Sequence, residues 1–382
     1  MKIILYKMIF LIIINKRIIM IKNIYLFVCL IIFIFLIIII KINYYFNTIE
    51  NFKYGYNCLT CASCANGGYL IDSTDEDSNI ISSQNNGDFN YFKFVNNDDD
   101  DEKIYIFNVY TDLTCDILII GGGGSGGGNT AWDENPGGGA GGIVYIVNQV
   151  LPANTYKIKV GRGGTPYWAS SKLYPENGHD SSITDIDDNV IELSVVIVGG
   201  PDKTIGLIGY GGGHGACFDF DTGKQSGTRA PPGGDGGSGG GSLYYGYGGT
   251  STQGDTFWDG TEFVKGGHDG ENAGYGARGG GGAGGKANVA RGGHGRQINI
   301  TGETSYSGNI LYYGGGGGGD KTLGARDTTN QGYGGKGGGG TVGNTGSDGY
   351  PGREHTGGGG GGAGGYTLGG SGGSGMVVIR YL

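Results

Sequence analysis

The chain has 382 residues, of which 89 are glycine, about a quarter where roughly 7% is usual, and all but four of these glycines follow Ile120. Only 8 prolines are present, and the glycines occur in runs such as Gly314–Gly319 rather than at every third position. This pattern excludes a collagen, and glycine at this density excludes a conventional helical enzyme. The net charge of −9, from 26 basic and 35 acidic residues, argues against a protein that binds nucleic acid by neutralising phosphates.

The first forty residues have the pattern of a membrane segment. Residues 24–40 are 17 consecutive residues without a charge, and a helix of this length would be about 26 Å long, close to the roughly 30 Å hydrocarbon core. Five basic residues precede this stretch. The positive-inside rule then predicts a cytoplasmic segment 1–23, a transmembrane signal anchor 24–40 in contact with the lipid bilayer, and an outward-facing remainder. A cleaved signal peptide that starts at Met20 is the alternative.

Three closely spaced cysteines mark the segment that follows, a predicted stalk over residues 41–71. Cys58, Cys61 and Cys64 form C-x2-C-x2-C. An iron–sulfur cluster or a zinc site would need a fourth ligand or a second ligand pair nearby, and neither is present in the sequence. Outside the cytoplasm such cysteines form disulfides, which is the interpretation that this spacing favours over free thiols. We therefore predict no metal at this cluster.

Residues 72–120 are predicted to form an acidic β region. The segments 91–95 and 104–109 alternate aromatic and β-branched residues over the length of a strand. Five consecutive acidic residues, 98–102, separate them and lack the spaced oxygen ligands of a calcium loop, so they indicate the solvated tip of a hairpin. The apolar run 115–120 then has the pattern of a buried strand.

The glycine-rich body, residues 121–382, is predicted to be folded rather than a flexible linker. Large apolar residues recur in four segments of strand type, 142–147, 156–160, 190–198 and 376–382. Glycine runs between such strands need partners for their backbone groups, and polyglycine-II helices packed side by side would supply them. The predicted fold class is therefore mainly β, a strand framework that clamps a bundle of polyproline- or polyglycine-II helices, plus one N-terminal transmembrane helix.

At its two ends and in its middle the body resembles a known family. The strings are CDILIIGGGGSGGG from residue 115, GGAGGIVYIVNQVLPANTYKIKVGRGG from 138 and GGSGGSGMVVIRYL at the end. Together they resemble a glycine-rich domain found in large DNA viruses, phages and bacterial and protist surface proteins. More distantly the body is similar to the polyglycine-II sandwiches of phage adhesins and to the ectodomains of anaplastic lymphoma kinase-type receptors. The resemblance implies a structural or recognition module without catalytic residues.

The search for chemistry finds no catalytic or cofactor-binding pattern in the sequence. G-x-G-x-x-G occurs often, but at this glycine density chance produces it, and no following helix pattern gives the dinucleotide-binding context. No phosphate-binding G-x-x-x-x-G-K-[ST] occurs. Two RGG triplets, at Arg278 and Arg291, are typical of RNA-binding segments, yet the chain is acidic. We therefore predict no enzyme, no cofactor and no nucleic-acid partner.

Aromatic residues interrupt the glycine runs and are the candidate recognition residues. Tyr244, Tyr245, Tyr247 and Trp258 stand in loop-like surroundings, and tyrosine and tryptophan give large contact areas at low entropic cost. The alternative is that these rings belong to the core. Asn299 begins an N-x-T sequon, a possible glycosylation site in a secreted chain.

These observations together predict a membrane-anchored structural or attachment protein on a virion or cell surface. It would display a rigid glycine-rich module and bind a glycan or protein receptor, and it could form homo-oligomers. A purely structural coat or scaffold protein without a ligand is the first alternative. An enzyme with glycine-rich loops is the second.

Overall fold

The computed structural model describes residues 71–75, 79–97, 102–128, 135–166, 175–195, 202–216, 232–243, 246–272, 276–304, 310–319, 332–344, 346–365 and 367–382. All of them lie in Tyr69–Leu382, one of two units into which the chain divides. The predicted cytoplasmic segment, anchor and most of the stalk lie outside these residues.

Sixteen strands and no helix occur among the described residues. The strands are β1 (Ile71–Asp75), β2 (Gln84–Asn85), β3 (Asn90–Val95), β4 (Glu102–Val109), β5 (Leu113–Ile120), β6 (Ile143–Leu151), β7 (Asn154–Gly161), β8 (Ser181–Thr184), β9 (Glu192–Val195), β10 (Lys203–Gly206), β11 (Ile208–Gly209), β12 (Asp255–Trp258), β13 (Phe263–Lys265), β14 (Arg296–Gln297), β15 (Tyr312–Tyr313) and β16 (Met376–Tyr381). The strands predicted from apolar patterns are confirmed wherever the structure describes them.

Two large sheets organise these strands. One has five strands in the order β1-β4-β7-β8-β11, and the other has seven in the order β13-β12-β6-β5-β16-β3-β2. The pairs β9–β10 and β14–β15 form two further small sheets. All pairings are antiparallel except the short contact between β12 and β6. The last strand, β16, is central, since it pairs with β5 on one side and β3 on the other.

The two large sheets pack face to face over an apolar core. Alternate residues of each strand point into it, as the period of two in a β-strand requires. Phe92 and Phe94 of one sheet meet Phe107 of the other, and the rings of Phe92 and Phe107 make an edge contact with centroids 5.2 Å apart. The same core contains Ile117 and Ile379 from the centre of the seven-stranded sheet. The predicted hairpin between β3 and β4 is wrong, because these strands lie in different sheets.

The outer face of the seven-stranded sheet is buried as well. Leu118 and Ile120 of β5 and Val378 of β16 point away from the sandwich core into a second apolar cluster. Residues of the glycine-rich body, among them Ile300 and Tyr313, cover this face. Burial on both faces explains why β5 ends in a continuous apolar run rather than an alternating one.

The glycine segments that connect the strands form a buried network of backbone hydrogen bonds. The amides of residues 121, 124 and 127 donate to carbonyl groups of segment 136–142. The amides of 122 and 125 donate to segment 176–179, and those of 123 and 126 donate to segment 370–373, all at distances of 2.8 to 3.1 Å. Successive amides of one segment thus donate to three different neighbouring segments in turn, so each neighbour is contacted once every three residues. Segment 137–142 repeats this pattern toward 278–281, 357–360 and 210–213. The network satisfies the amides that a buried loop would leave unpaired.

The predicted bundle of polyglycine-II helices is wrong. No described residue belongs to a helix, and the glycine segments between the strands have no regular secondary structure. The regular structure lies instead in the strands, because these carry the large apolar side chains that pack into the two apolar clusters. As the prediction required, the amides of the glycine segments do donate to carbonyl groups of other segments. The mainly β part of the prediction is confirmed.

The prediction of a single-pass membrane protein is withdrawn. Among the described residues no helix is long and apolar enough to cross a bilayer, and the predicted anchor, residues 24–40, lies outside them. The prediction depended on the apolar length of residues 24–40 and on the basic residues before them, and no described residue adds support to it.

The disulfide prediction receives a similar correction. Cys115 is a buried free thiol, and the described residues contain no disulfide. Cys58, Cys61 and Cys64 lie outside the described residues. Their spacing was interpreted through an extracellular location, and the withdrawal of the single-pass prediction leaves the disulfide prediction without that argument.

Candidate recognition surface

Close contact between backbones fixes the glycine network. A Cβ atom built on Gly123 would overlap the carbonyl oxygen of Gly358, and one on Gly316 would overlap that of Gly280. Most glycines of the network meet a backbone carbonyl in the same way. Inside the network the side chains are mostly small, as at Ser125 and Ala140, which are fully buried. The outward positions have room for larger side chains and are where a functional surface can form.

Four neighbouring segments form one outward face of this network. Segment 291–297 bonds to 332–336 through Gly292 N to Tyr333 O (3.0 Å) and Gly295 N to Lys336 O (2.7 Å). Val342 N donates to Gly332 O (2.9 Å), which joins segment 338–342. Tyr350 N to Thr341 O (3.0 Å) and Arg353 N to Gly338 O (2.7 Å) join segment 349–353. We call the outward side of 291–297, 332–336, 338–342 and 349–353 the ladder face.

Side chains on the ladder face follow the three-residue period of the network. Arg291 and His294 are exposed on the first segment, and Gly292, Gly293 and Gly295 between and beside them are buried. On segment 332–336 the exposed residues are Tyr333 and Lys336, and on segment 349–353 they are Tyr350 and Arg353, again three apart, together with Pro351, while residues 338–342 are buried or half-buried. Three residues of extended chain span at most about 10 Å, so two exposed side chains that follow each other on one segment start at most about this far apart.

Three tyrosines on the network are about half exposed. Tyr247 is 52% exposed, Tyr333 47% and Tyr350 57%. The Arg291 guanidinium lies 5.7 Å from the centre of the Tyr333 ring, and the Lys336 ammonium lies 5.5 Å from that of Tyr312. Both distances are within the range of a cation–π contact. These contacts help to orient the rings of Tyr333 and Tyr312.

Of the four predicted recognition residues, the structure describes Tyr247 and Trp258, which lie on different parts of the fold. Tyr244 and Tyr245 lie outside the described residues. Tyr247 is exposed on the glycine network, where its carbonyl oxygen accepts a hydrogen bond from Gly233. Trp258 is half-buried on β12 and packs against Phe263, with ring centroids 5.2 Å apart. Trp258 is thus part of the sheet.

Sequence reasoning missed Tyr333 and Tyr350 as members of a shared surface. Their local sequence carries a signal: Tyr247 and Tyr333 have glycine on both sides, and Tyr350 follows Gly349. Tyr313, in contrast, is paired with Tyr312 next to apolar residues and is only 4% exposed. The interpretation of the rings as core is correct for Tyr313 and Phe257, which lie in the second apolar cluster.

A cleft of about 280 Å³ lies at the edge of the sandwich, beside Asp116 and Arg380. Arg380 donates to the Asp116 carboxylate through Nε (2.8 Å) and through Nη2, and Asn148 N donates to Asp116 Oδ1 (2.7 Å). These charges neutralise each other. Burial raises the pKa of the Cys115 thiol in this cleft to about 12, so the thiol is protonated at neutral pH and is a poor nucleophile.

The remaining candidate groups are dispersed. The described residues hold no cluster of three histidine, cysteine or acidic side chains able to bind a metal. Burial lowers the pKa of His268 and of His355, which keeps both neutral at pH 7. Asn299, the sequon residue, is exposed, and its carbonyl oxygen accepts a hydrogen bond from Arg380 Nη1 (2.9 Å).

Comparison with known families agrees with this architecture. The sequence profile of a family described as a glycine-rich domain matches residues 103–382. The chain belongs to this glycine-rich domain family. The glycine-rich domain begins within β4 and ends after β16, so it includes strands of both large sheets as well as the glycine network. Among curated proteins, no significant match to the chain was found.

Proposed function

We propose that the glycine-rich domain is a non-catalytic binding module that displays tyrosines on a rigid backbone network to a glycan or protein partner. The observation that supports this most directly is the half exposure of Tyr247, Tyr333 and Tyr350 on segments whose neighbouring glycines are buried or half-buried. Apolar rings of this size are costly to leave in water, and at binding surfaces they supply much of the affinity.

Rigidity of the support strengthens this proposal. A loop that orders on binding reduces affinity by the entropy of its lost conformations. The network avoids that loss, because each segment is hydrogen-bonded to its neighbours before any partner arrives. Rings on such a support are preorganised in the way that favours tight binding by few residues.

The test is a triple variant of the full chain, Tyr247→Ser, Tyr333→Ser and Tyr350→Ser, applied to a glycan array and to purified glycoproteins. We expect at least a tenfold loss of binding with an unchanged melting temperature, because loss of a central aromatic contact costs about 2 kcal/mol or more. Tyr110→Ser is the matched control, since Tyr110 is equally exposed at 50% but lies next to β5 in the sandwich.

Two results would contradict the proposal. If the triple variant and the wild type bind the array and the glycoproteins identically, the tyrosines are not recognition residues and a purely structural scaffold is favoured. If the triple variant loses its cooperative unfolding transition while Tyr110→Ser retains it, the rings contribute to folding rather than to binding.

A further inference from the structure

The ladder face differs from the rest of this acidic chain in its charge. Arg291, Lys336 and Arg353 are exposed on three of its segments, and within the described part of the chain none of them forms an ion pair. His294 is exposed three residues after Arg291 on the same segment. Its Nδ1 accepts a hydrogen bond from Lys336 N (3.1 Å). The cations therefore stand on neighbouring segments that the backbone holds in register.

Lysines elsewhere in the module are arranged differently. Lys157 and Lys159 on β7 both contact the Asp188 carboxylate, at 2.9 and 3.0 Å. Lys203 lies 3.6 Å from a carboxylate oxygen of Asp255. A paired ammonium has little charge to offer a ligand. Lys265 and Arg278 also form no ion pair among the described residues, but on the ladder face three such cations stand on hydrogen-bonded segments of one surface.

The acidic groups near the ladder face occupy other positions of the three-residue repeat. Asp348 and Glu354 are exposed but lie outside the three-residue spacing that Tyr350 and Arg353 follow. The Asp348 carboxylate accepts a hydrogen bond from Leu368 N (2.9 Å), which directs it toward the next segment of the network. The line of exposed side chains on segment 349–353 therefore combines a ring with a cation, as does the pair Tyr333 and Lys336.

We propose that the ladder face binds an acidic polysaccharide, a chain of sugar rings that carries carboxylate or sulfate groups. This inference is based on the proposed binding function and names its ligand class. The cations provide charge complementarity to the acidic groups, and the exposed faces of Tyr333 and Tyr350 provide apolar area for the sugar rings. The face is open and extends over four segments, which suits a polymer rather than a small molecule enclosed in a pocket.

The experiment compares binding of the full chain to heparin, polygalacturonate, dextran and single-stranded RNA at low and moderate salt. The test variant is Arg291→Gln, Lys336→Gln and Arg353→Gln. The matched control is Lys157→Gln, Lys159→Gln and Lys203→Gln, which removes the same charge from paired lysines. We expect the wild type to bind heparin or polygalacturonate in a salt-sensitive manner. The test variant should bind at least tenfold more weakly, and the control should stay within about twofold of the wild type.

Three results would overturn the inference. Equal losses in the test and control variants would show that only overall charge matters. RNA binding as tight as that of the polysaccharides would indicate a general polyanion surface. Binding of dextran that depends on the tyrosines, without binding of either acidic polymer, would contradict the inference and leave the proposed binding function intact. Binding to heparin alone or to polygalacturonate alone would support the inference and identify sulfate or carboxylate as the recognised group.

Discussion

Replacing Gly316 by valine is expected to destabilise the domain by more than 3 kcal/mol, a class of effect seen when a core is overpacked. Gly316 lies inside the network, where its amide donates to Gly293 O and its carbonyl accepts from Gly335 N, both at 2.8 Å. A Cβ there would overlap the carbonyl oxygens of Gly280 and Gly281. Backbone atoms have no rotamer to change, so whole segments would have to separate. Thermal unfolding of the purified chain measures the effect.

Gly254→Val is the matched control for this substitution. Gly254 is exposed, and a Cβ built on it meets no atom within 4 Å. We expect a change of melting temperature typical of surface sites, about ±0.5 kcal/mol in stability. If Gly316→Val melts like Gly254→Val, the glycine segments are loosely held and the close approach of their backbones is not a structural requirement.

Removing the last strand is expected to abolish folding altogether. A chain that ends at Gly375 lacks β16, which pairs with both β5 and β3 at the centre of the seven-stranded sheet. Four of its residues, Met376 to Ile379, are at most 1% exposed. Their burial contributes on the order of 6–12 kcal/mol, which is comparable to the total stability of a domain. Circular dichroism and the dispersion of amide signals measure the loss.

Removal of Leu382 alone is the control for this truncation. Leu382 is 90% exposed and lies beyond the strand, so its loss should leave the spectra and the melting temperature unchanged. A chain that ends at Gly375 and still unfolds cooperatively would show that the seven-stranded sheet does not depend on β16.

Local pattern was sufficient to predict where most long strands lie, but not how they pair. The alternation of aromatic and β-branched residues in β3 and β4 gave both strands correctly, and their closeness in sequence suggested a hairpin. In the structure β3 pairs with β16, from the far end of the chain, and β4 pairs with β1 and β7. Such pairings depend on which apolar faces meet across the sandwich, and periodicity within one segment does not contain that information.

For the glycine runs and the candidate site, too, the sequence does not show which segments become neighbours in space. The need for backbone partners could be predicted from buried glycine alone, and the structure places those partners on other segments. Which segments become neighbours depends on their register, so the alignment of Tyr333 with Arg291 and of Tyr350 with Thr341 could not be predicted. The contact of Trp258 could not be predicted for a related reason: its partner Phe263 belongs to the adjacent strand β13.

Native-state hydrogen exchange at the glycine amides tests the central claim, that the glycine runs form an ordered network of hydrogen bonds between segments. The account predicts that the amides of Gly121–Gly127, Gly137–Gly142 and Gly314–Gly319 exchange slowly, with protection that approaches that of the β5 and β16 amides, because each donates to another segment. The exposed Gly254 provides the internal reference for a less protected position. Exchange throughout the runs at the rate of an unstructured peptide, while β5 and β16 stay protected, would contradict the account.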